Sequence, residues 1–239
     1  MFKQNKYKID FQSANDVFVE DDVRRIETFS RWFLIFCVFV AIFVFMVNFV
    51  YETAPVSGPS MENTFNQYGD DLNDTVIINT LMKYNYGDIV VVDVTKKNSK
   101  TKEFHIKRIV GMPGDVIDIV DVDGNYYLER NGKIVDEKYI KSRVGMIRTH
   151  EKFEILQRDI MWADSFNSAG KFVVPEGEIF VLGDNRANSE DSSIKGSYKK
   201  DQVIGKVQYV VPHGVGVVSY VMKNLFRLPE ETNASYANV

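Results

Sequence analysis

"EFHIKRIVG", Glu103 to Gly111, decides how the rest of this chain is read. It is a short run of aromatic and β-branched residues closed by a glycine, the pattern of a strand rather than a helix. The same rhythm recurs in "TVIIN" (75–79), "GDIVVVDV" (87–94), "DVIDIVDV" (115–122), "YYLERNGKIV" (126–135), "EIFVLG" (178–183) and "VIGKVQYVV" (203–211). A mainly β body follows. "RNGK" at 130–133 predicts a hairpin turn, because Asn-Gly accepts the positive φ angles that tight hairpins require. Residues 139–175, where Tyr139, Phe153, Trp162, Phe166 and Phe172 stand isolated among charges, fit the rhythm least and read as an insertion.

Upstream of the strands lies an uncharged run from Trp32 to Tyr51, "WFLIFCVFVAIFVFMVNFVY", between Arg31 and Glu52. As a helix it is ~30 Å long, the thickness of a bilayer's hydrocarbon core. It is too long for a signal peptide, starts too deep in the chain and has no small-x-small cleavage site, so it reads as an uncleaved anchor in the lipid bilayer. Arg24, Arg25 and Arg31 precede it, whereas Glu52 to Asp71 holds no Lys or Arg, which places the N-terminus in the cytoplasm. The expected organisation is a cytoplasmic segment (1–31), a transmembrane helix (32–51), an extracytoplasmic β domain (52–212) with its insertion at 139–175, and a C-terminal tail (213–239). A short amphipathic helix fits about Ala14 to Ser30. "GVGVVSYVMKNLF" in the tail is too short for a second span and reads as a packing or interfacial segment.

Composition excludes several classes. The 239 residues are 45% hydrophobic and 26% charged, as in folded proteins. A formal charge of −4, with 29 Lys and Arg scattered along the chain, marks no nucleic-acid partner. The single Cys37 permits no disulfide within the chain, and His105, His150 and His213 lack metal-ligand spacing. Neither metal nor cofactor is expected.

The chemistry-bearing candidates are a serine and a lysine. "APVSGPSMENTF" (54–65) follows the anchor and offers Ser57 and Ser60. A nucleophilic serine needs a base and donors for the oxyanion, and no His-Asp pairing with a serine is readable. A lysine serves as base only where burial lowers its pKa. Lys107 stands alone in an apolar strand pattern, unlike the solvated lysines at 96–102. Separately, the serine motif suits any linker and Lys107 suits any edge strand.

Together, and in order, the anchor, "SGPSMENT" (57–64), "GDIVVV" (87–92), "KRIVGMPGD" (107–115) and "GDNRANSEDS" (183–192) resemble the bacterial type I signal peptidases, membrane-anchored serine proteases with a Ser/Lys dyad. The resemblance runs from about Trp32 to Pro212. It implies Ser60 as nucleophile, Lys107 as general base and Ser189 as the hydroxyl that orients the lysine amine. It further implies that the Ser60 N–H donates to the oxyanion. Gly58 stands where some members add a serine hydroxyl, and it has none to give; Ser57 is one residue out of register. Met61, Arg108, Gly183, Asp184, Asn185, Arg186 and Asp191 match structural motif positions, with Gly183 allowing close backbone approach and Arg108 pairing with Asp191. Two positions depart from the family pattern: Asn63 replaces a proline, and Ser193 replaces an arginine partner of Asp191.

The implied substrates are secretory preproteins with signal peptides carrying small residues at the first and third positions before the scissile bond. Pro55, Val56 and Ser57 on one side and Phe104 and Ile106 on the other are the implied walls of their groove, to which the peptide adds as a strand. Ser60 lies nine residues past Tyr51, within ~30 Å of chain, which puts cleavage at the outer membrane-water interface. The alternatives are a non-catalytic relative acting as an assembly chaperone and a Ser/Lys self-cleaving regulator.

Overall fold

The computed structural model describes residues 11–62, 64–66, 73–140 and 144–224. Asn63, the first ten residues and the tail beyond 224, each the subject of an expectation above, lie outside the described residues.

The chain divides into two units, 1–49 and 50–239. The first holds helix α1, Phe11–Val50. From Arg24 to Val50 it is long and apolar enough to cross a membrane. Trp32, Phe33, Phe36, Phe39, Phe43 and Phe45 are all exposed along it. A helical stretch that is apolar on every side matches lipid rather than water. The helix begins well before Trp32 and ends at Val50, so Tyr51, expected as its last residue, instead opens a strand. Boundaries of this kind move by a residue because the end of an apolar run does not fix the last helical hydrogen bond.

The second unit is built on eleven strands: β1 (Tyr51–Pro55), β2 (Thr75–Asn79), β3 (Ile89–Asp93), β4 (Phe104–Gly111), β5 (Val116–Val122), β6 (Asn125–Arg130), β7 (Lys133–Ile134), β8 (Phe172–Val173), β9 (Glu178–Leu182), β10 (Tyr198–Lys199) and β11 (Val203–Val211). The seven sequence runs quoted above each contain at least one of them. Seven strands form one antiparallel sheet in the order β1-β2-β11-β3-β4-β9-β10, and four form a second, β7-β6-β5-β8. In a flat sheet four spacings of ~4.8 Å would hold β1 about 19 Å from β4. The sheet curls instead, so that the two strands flank one groove. The register of β11 shifts between Val203 and Gly205 and again between Val207 and Tyr209, and bulges of this kind increase bend and twist.

Alternation along the strands sends side chains to different cores. Val91 joins Val56, Met61, Phe65, Val76, Ile78, Val207 and Val210 in one cluster. Its neighbours Val90 and Val92 join Ile109, Ile179, Val181 and Tyr198 in another. The small sheet carries its own core, in which Phe172 contacts Phe180, Phe166 and Trp162 with ring centroids 5.1, 5.2 and 5.7 Å apart. The expected hairpin is formed: Asn131 and Gly132, at φ 54° and 75°, link Arg130 to Lys133 across a two-residue loop.

The expected insertion at 139–175 contains two helical stretches. Helix α2, Val144–Gln157, buries Met146, Thr149, Phe153 and Leu156. They recur at three- and four-residue intervals, and the stripe packs on the small sheet. A 3-10 helix, Ile160–Ser165, continues it. Helix α3, Ser192–Lys195, follows β9, and helix α4, Val217–Asn224, occupies the stretch expected as a packing or interfacial segment.

Phe172 is fully buried. Phe172→Ala is expected to cost ~3–5 kcal/mol, which lowers the thermal midpoint of the detergent-solubilised chain by roughly 10 °C.

Candidate active site

Ser60 sits in a single 3-10 turn, Pro59–Met61, directly after β1. Gly58 precedes it at φ 89° and ψ 161°, a region open essentially to glycine alone. This accounts for a glycine where a serine hydroxyl was wanted: the chain must turn sharply there. Pro59 then fixes the first φ of the turn. Met61 is 1% exposed and plugs the core, and its carbonyl accepts from the amides of Thr64 (3.0 Å) and Phe65 (2.9 Å). The Ser60 carbonyl accepts from the Asn185 amide at 3.0 Å. The Asn185 side chain donates to Glu62 at 2.8 Å, and Thr64 donates to the Asp184 carboxylate. These bonds hold the turn on both sides of Asn63 without the family's proline.

Lys107, on β4, is 3% exposed. Its Nζ lies 2.8 Å from Ser60 Oγ and 3.1 Å from the Ile106 carbonyl. No carboxylate forms a salt bridge with it among the described residues. Burial pushes the ammonium down to about 8, against the pull of Asp191, Glu190 and Asp184. The pair is a hydroxyl and a partly neutral amine in hydrogen-bond contact, which can generate an alkoxide nucleophile.

The segment from Gly183 to Asp191 closes the site from below. A Cβ on Gly183 would lie 2.3 Å from Ser189 Oγ and 2.5 Å from the Ser60 carbonyl oxygen, so the expected close approach is present. Ser189 is 5% exposed, yet its Oγ makes no hydrogen bond among the described residues. The bond to the lysine amine that the resemblance implied is therefore not formed. Asp191 accepts from the Gly183 amide (2.9 Å) and from Ser193 through both its amide (3.1 Å) and its hydroxyl (2.7 Å). Ser193 thus supplies neutral donors where the family pattern has an arginine.

Arg108 corrects one expectation. Its partner is Asp184, not Asp191: Nε and Nη2 reach the two carboxylate oxygens at 2.9 and 2.6 Å. Lys107 and Arg108 are adjacent on a strand and point to opposite faces, so the arginine is carried away from the lysine's surroundings toward Asp184. It also donates to the Gly87 carbonyl (2.7 Å) and lies over the Tyr139 ring, 4.0 Å from its centroid. Arg186 donates to the Gly183 carbonyl at 3.0 Å and forms a buried two-point ion pair with Glu137.

A groove of about 800 Å³ runs past Ser60 and Lys107, lined by Pro55, Ser57, Phe104 and Ile106 as expected. Val56 borders it too, but its side chain is 2% exposed in the core. Its amide donates to the Asp74 carbonyl at 2.8 Å and its carbonyl accepts from Asn66 at 3.0 Å. The wall there is Pro55 and Ser57. His105, Asn188 and Glu190, which lie within the quoted stretches but were assigned no part in the groove, also line it. His105 is two residues from Lys107, on the same strand face, and burial followed by the lysine's charge lowers its pKa. That spacing was visible in the sequence; its consequence depended on knowing that the strand borders the groove.

Gly183→Ala is expected to lower peptide hydrolysis by ~100-fold, because the added carbon displaces Ser60 and Ser189 by an ångström or more. Steady-state kinetics on the folded variant measures it.

Comparison with known proteins bears on the same residues. A family profile described as signal peptidase, peptidase S26, matches residues 29–212. Signal peptidase I of Bacillus caldolyticus is 34% identical over 179 residues, covering 74% of this chain and 86% of that one. Signal peptidase I S of Bacillus subtilis strain 168 is 29% identical over 195 residues, covering 80% and 92%. Signal peptidase IB of Staphylococcus aureus strain Mu50 is 27% identical over 180 residues, covering 75% and 87%. With the profile running from the end of the polar segment before the anchor to the first residue after β11, the chain belongs to the signal peptidase family, peptidase S26.

Proposed function

We propose that this chain is a membrane-anchored serine endopeptidase that removes signal peptides from secretory preproteins, with Ser60 as nucleophile and Lys107 as general base. The observation that carries the reading is the 2.8 Å contact between Ser60 Oγ and a lysine amine buried at the floor of a peptide-sized groove.

Neutral Lys107 takes the Ser60 proton as Oγ attacks the scissile carbonyl. The tetrahedral oxyanion receives the Ser60 N–H, one of the first amides of a helical turn and so without an intrahelical acceptor. Lys107 passes the proton to the leaving amine, then takes a proton from the water that attacks the acyl-enzyme, and Ser60 is restored. Ser189, whose hydroxyl is buried and without a partner among the described residues, is the group assigned to orient the lysine amine.

The peptide adds as a strand between two open edges. β1 pairs with β2, and Phe104 to Lys107 pair with β3, while β9 joins β4 only from Arg108 onward. The free edges supply main-chain hydrogen bonds, and Pro55, Ser57, Phe104 and Ile106 limit the size of the substrate side chains. Arg24, Arg25 and Arg31, which precede the apolar run within α1, keep the N-terminus in the cytoplasm, so the β unit works at the outer membrane surface.

Ser60→Ala and Lys107→Ala are each expected to abolish cleavage of a synthetic signal-sequence peptide by the detergent-solubilised chain. Full activity in either variant overturns the dyad, and an inert wild type overturns the enzymatic reading. The pH dependence has a definite sign. The active form has neutral Lys107, whose pKa in the free enzyme is lowered to about 8, so kcat/KM is expected to rise with pH on a limb centred near 8. Below pH 7 it falls about tenfold per pH unit, because the neutral fraction does.

A further inference from the structure

We infer that Lys152, on the inserted helix α2, is a positioning residue that fixes Ser189 against the Ser60 backbone; the inference rests on the Ser/Lys reading above. Ser189 ends the three-residue turn Arg186–Asn188, which has φ and ψ of −133° and 134° at its last flank and is too short to hold itself. The carbonyls at that end need donors from elsewhere. Lys152 Nζ supplies them, donating to the Ser189 carbonyl at 2.6 Å, with the Arg186 carbonyl at 3.5 Å.

A second, independent contact seats the same helix on the same turn. A Cβ on Gly145 would lie 2.7 Å from the Ala187 amide nitrogen and 2.9 Å from Arg186 Cβ, so α2 approaches the turn backbone as closely as a glycine allows. The buried ion pair between Glu137, which leads into the insertion, and Arg186 ties down the other end of the turn.

The need for such bracing is written in Ser189 itself. Its hydroxyl is buried without a hydrogen bond, a state that opposes folding unless surrounding contacts impose it. Freed from Lys152, the Ser189 backbone is able to rotate and bond its hydroxyl to the nearest carbonyl, and the hydroxyl is then lost to the lysine. The insertion is therefore a brace for the catalytic loop. Lys152 touches neither substrate nor dyad and acts through Ser189.

The test compares kcat and KM of the full chain in detergent on a synthetic signal-sequence peptide. Lys152→Met is expected to lower kcat on the order of 10-fold with KM held within about twofold, the mark of misplaced groups rather than lost binding. Lys152→Arg, whose guanidinium donates to the same carbonyls, is expected to restore most of it. In a Ser189→Ala background, followed by single-turnover cleavage, Lys152→Met is expected to cause no further loss, because residues acting in one chain are not additive. Lys152→Leu, which likewise has no donor, serves if the Met variant gives too little folded protein. Full kcat in the Met or Leu variant overturns the inference, as does an equal loss in both backgrounds. Activity persisting in Ser60→Ala overturns the dyad reading instead, whatever Lys152 does.

Discussion

Among the described residues Lys107 is buried without an anionic partner, and the rest of the site depends on that constraint. A buried cation is costly, and a protein relieves the cost either by pairing it or by letting it lose its proton. Two adjacent residues of β4 take the two courses. Arg108 is paired at two points with Asp184, which more than offsets the burial that opposes its charge and raises its pKa. Lys107 has a hydroxyl and a carbonyl as neighbours, and its proton is loosened. An arginine is unable to play the second part, since its guanidinium does not deprotonate in proteins.

Keeping Lys107 in that condition requires carboxylates near enough to hold the loop together and too occupied to pair with the amine. Asp184 is taken by Arg108 and Thr64. Asp191 is taken by the Gly183 amide and by Ser193. Ser193 donates without adding a charge beside the lysine, so the departure from the family pattern leaves the aspartate satisfied. Tyr139, whose pKa is raised by burial and by Glu137, completes a chain of contacts from Arg108 through Tyr139 and Glu137 to Arg186. The insertion thereby reaches both strand β4 and the loop after β9.

Much of this was legible in the sequence, and the omissions have physical causes. Short β-branched runs are unambiguous because two-residue alternation and turn residues bound them on both sides. β1 was missed, since "YETAP" has no such alternation and becomes a strand by pairing with β2. Helix α2 was missed although Met146, Thr149, Phe153 and Leu156 lie on one face. Arg148, Glu151, Lys152 and Glu154 fall between them, and the stripe is narrow enough to be hidden by charge. Val56 was expected in the groove wall because it adjoins Pro55 and Ser57, but alternation of side chains turns it into the core.

By itself the sequence determined the apolar anchor, the mainly β body, the family motifs and the identity of a serine and a lysine able to do the chemistry. These are local properties: length and hydropathy of a run, two-residue periodicity, and the residue types that nucleophilic chemistry needs. Tertiary structure decided which groups meet. The curl of the large sheet brings Ser60 to Lys107, forty-seven residues apart, and excludes water enough to lower the lysine's pKa. It also gave Arg108 to Asp184 rather than Asp191, and Lys152 to the Ser189 carbonyl. Pairings across such distances follow from packing geometry and burial, which no neighbouring residue in the chain specifies.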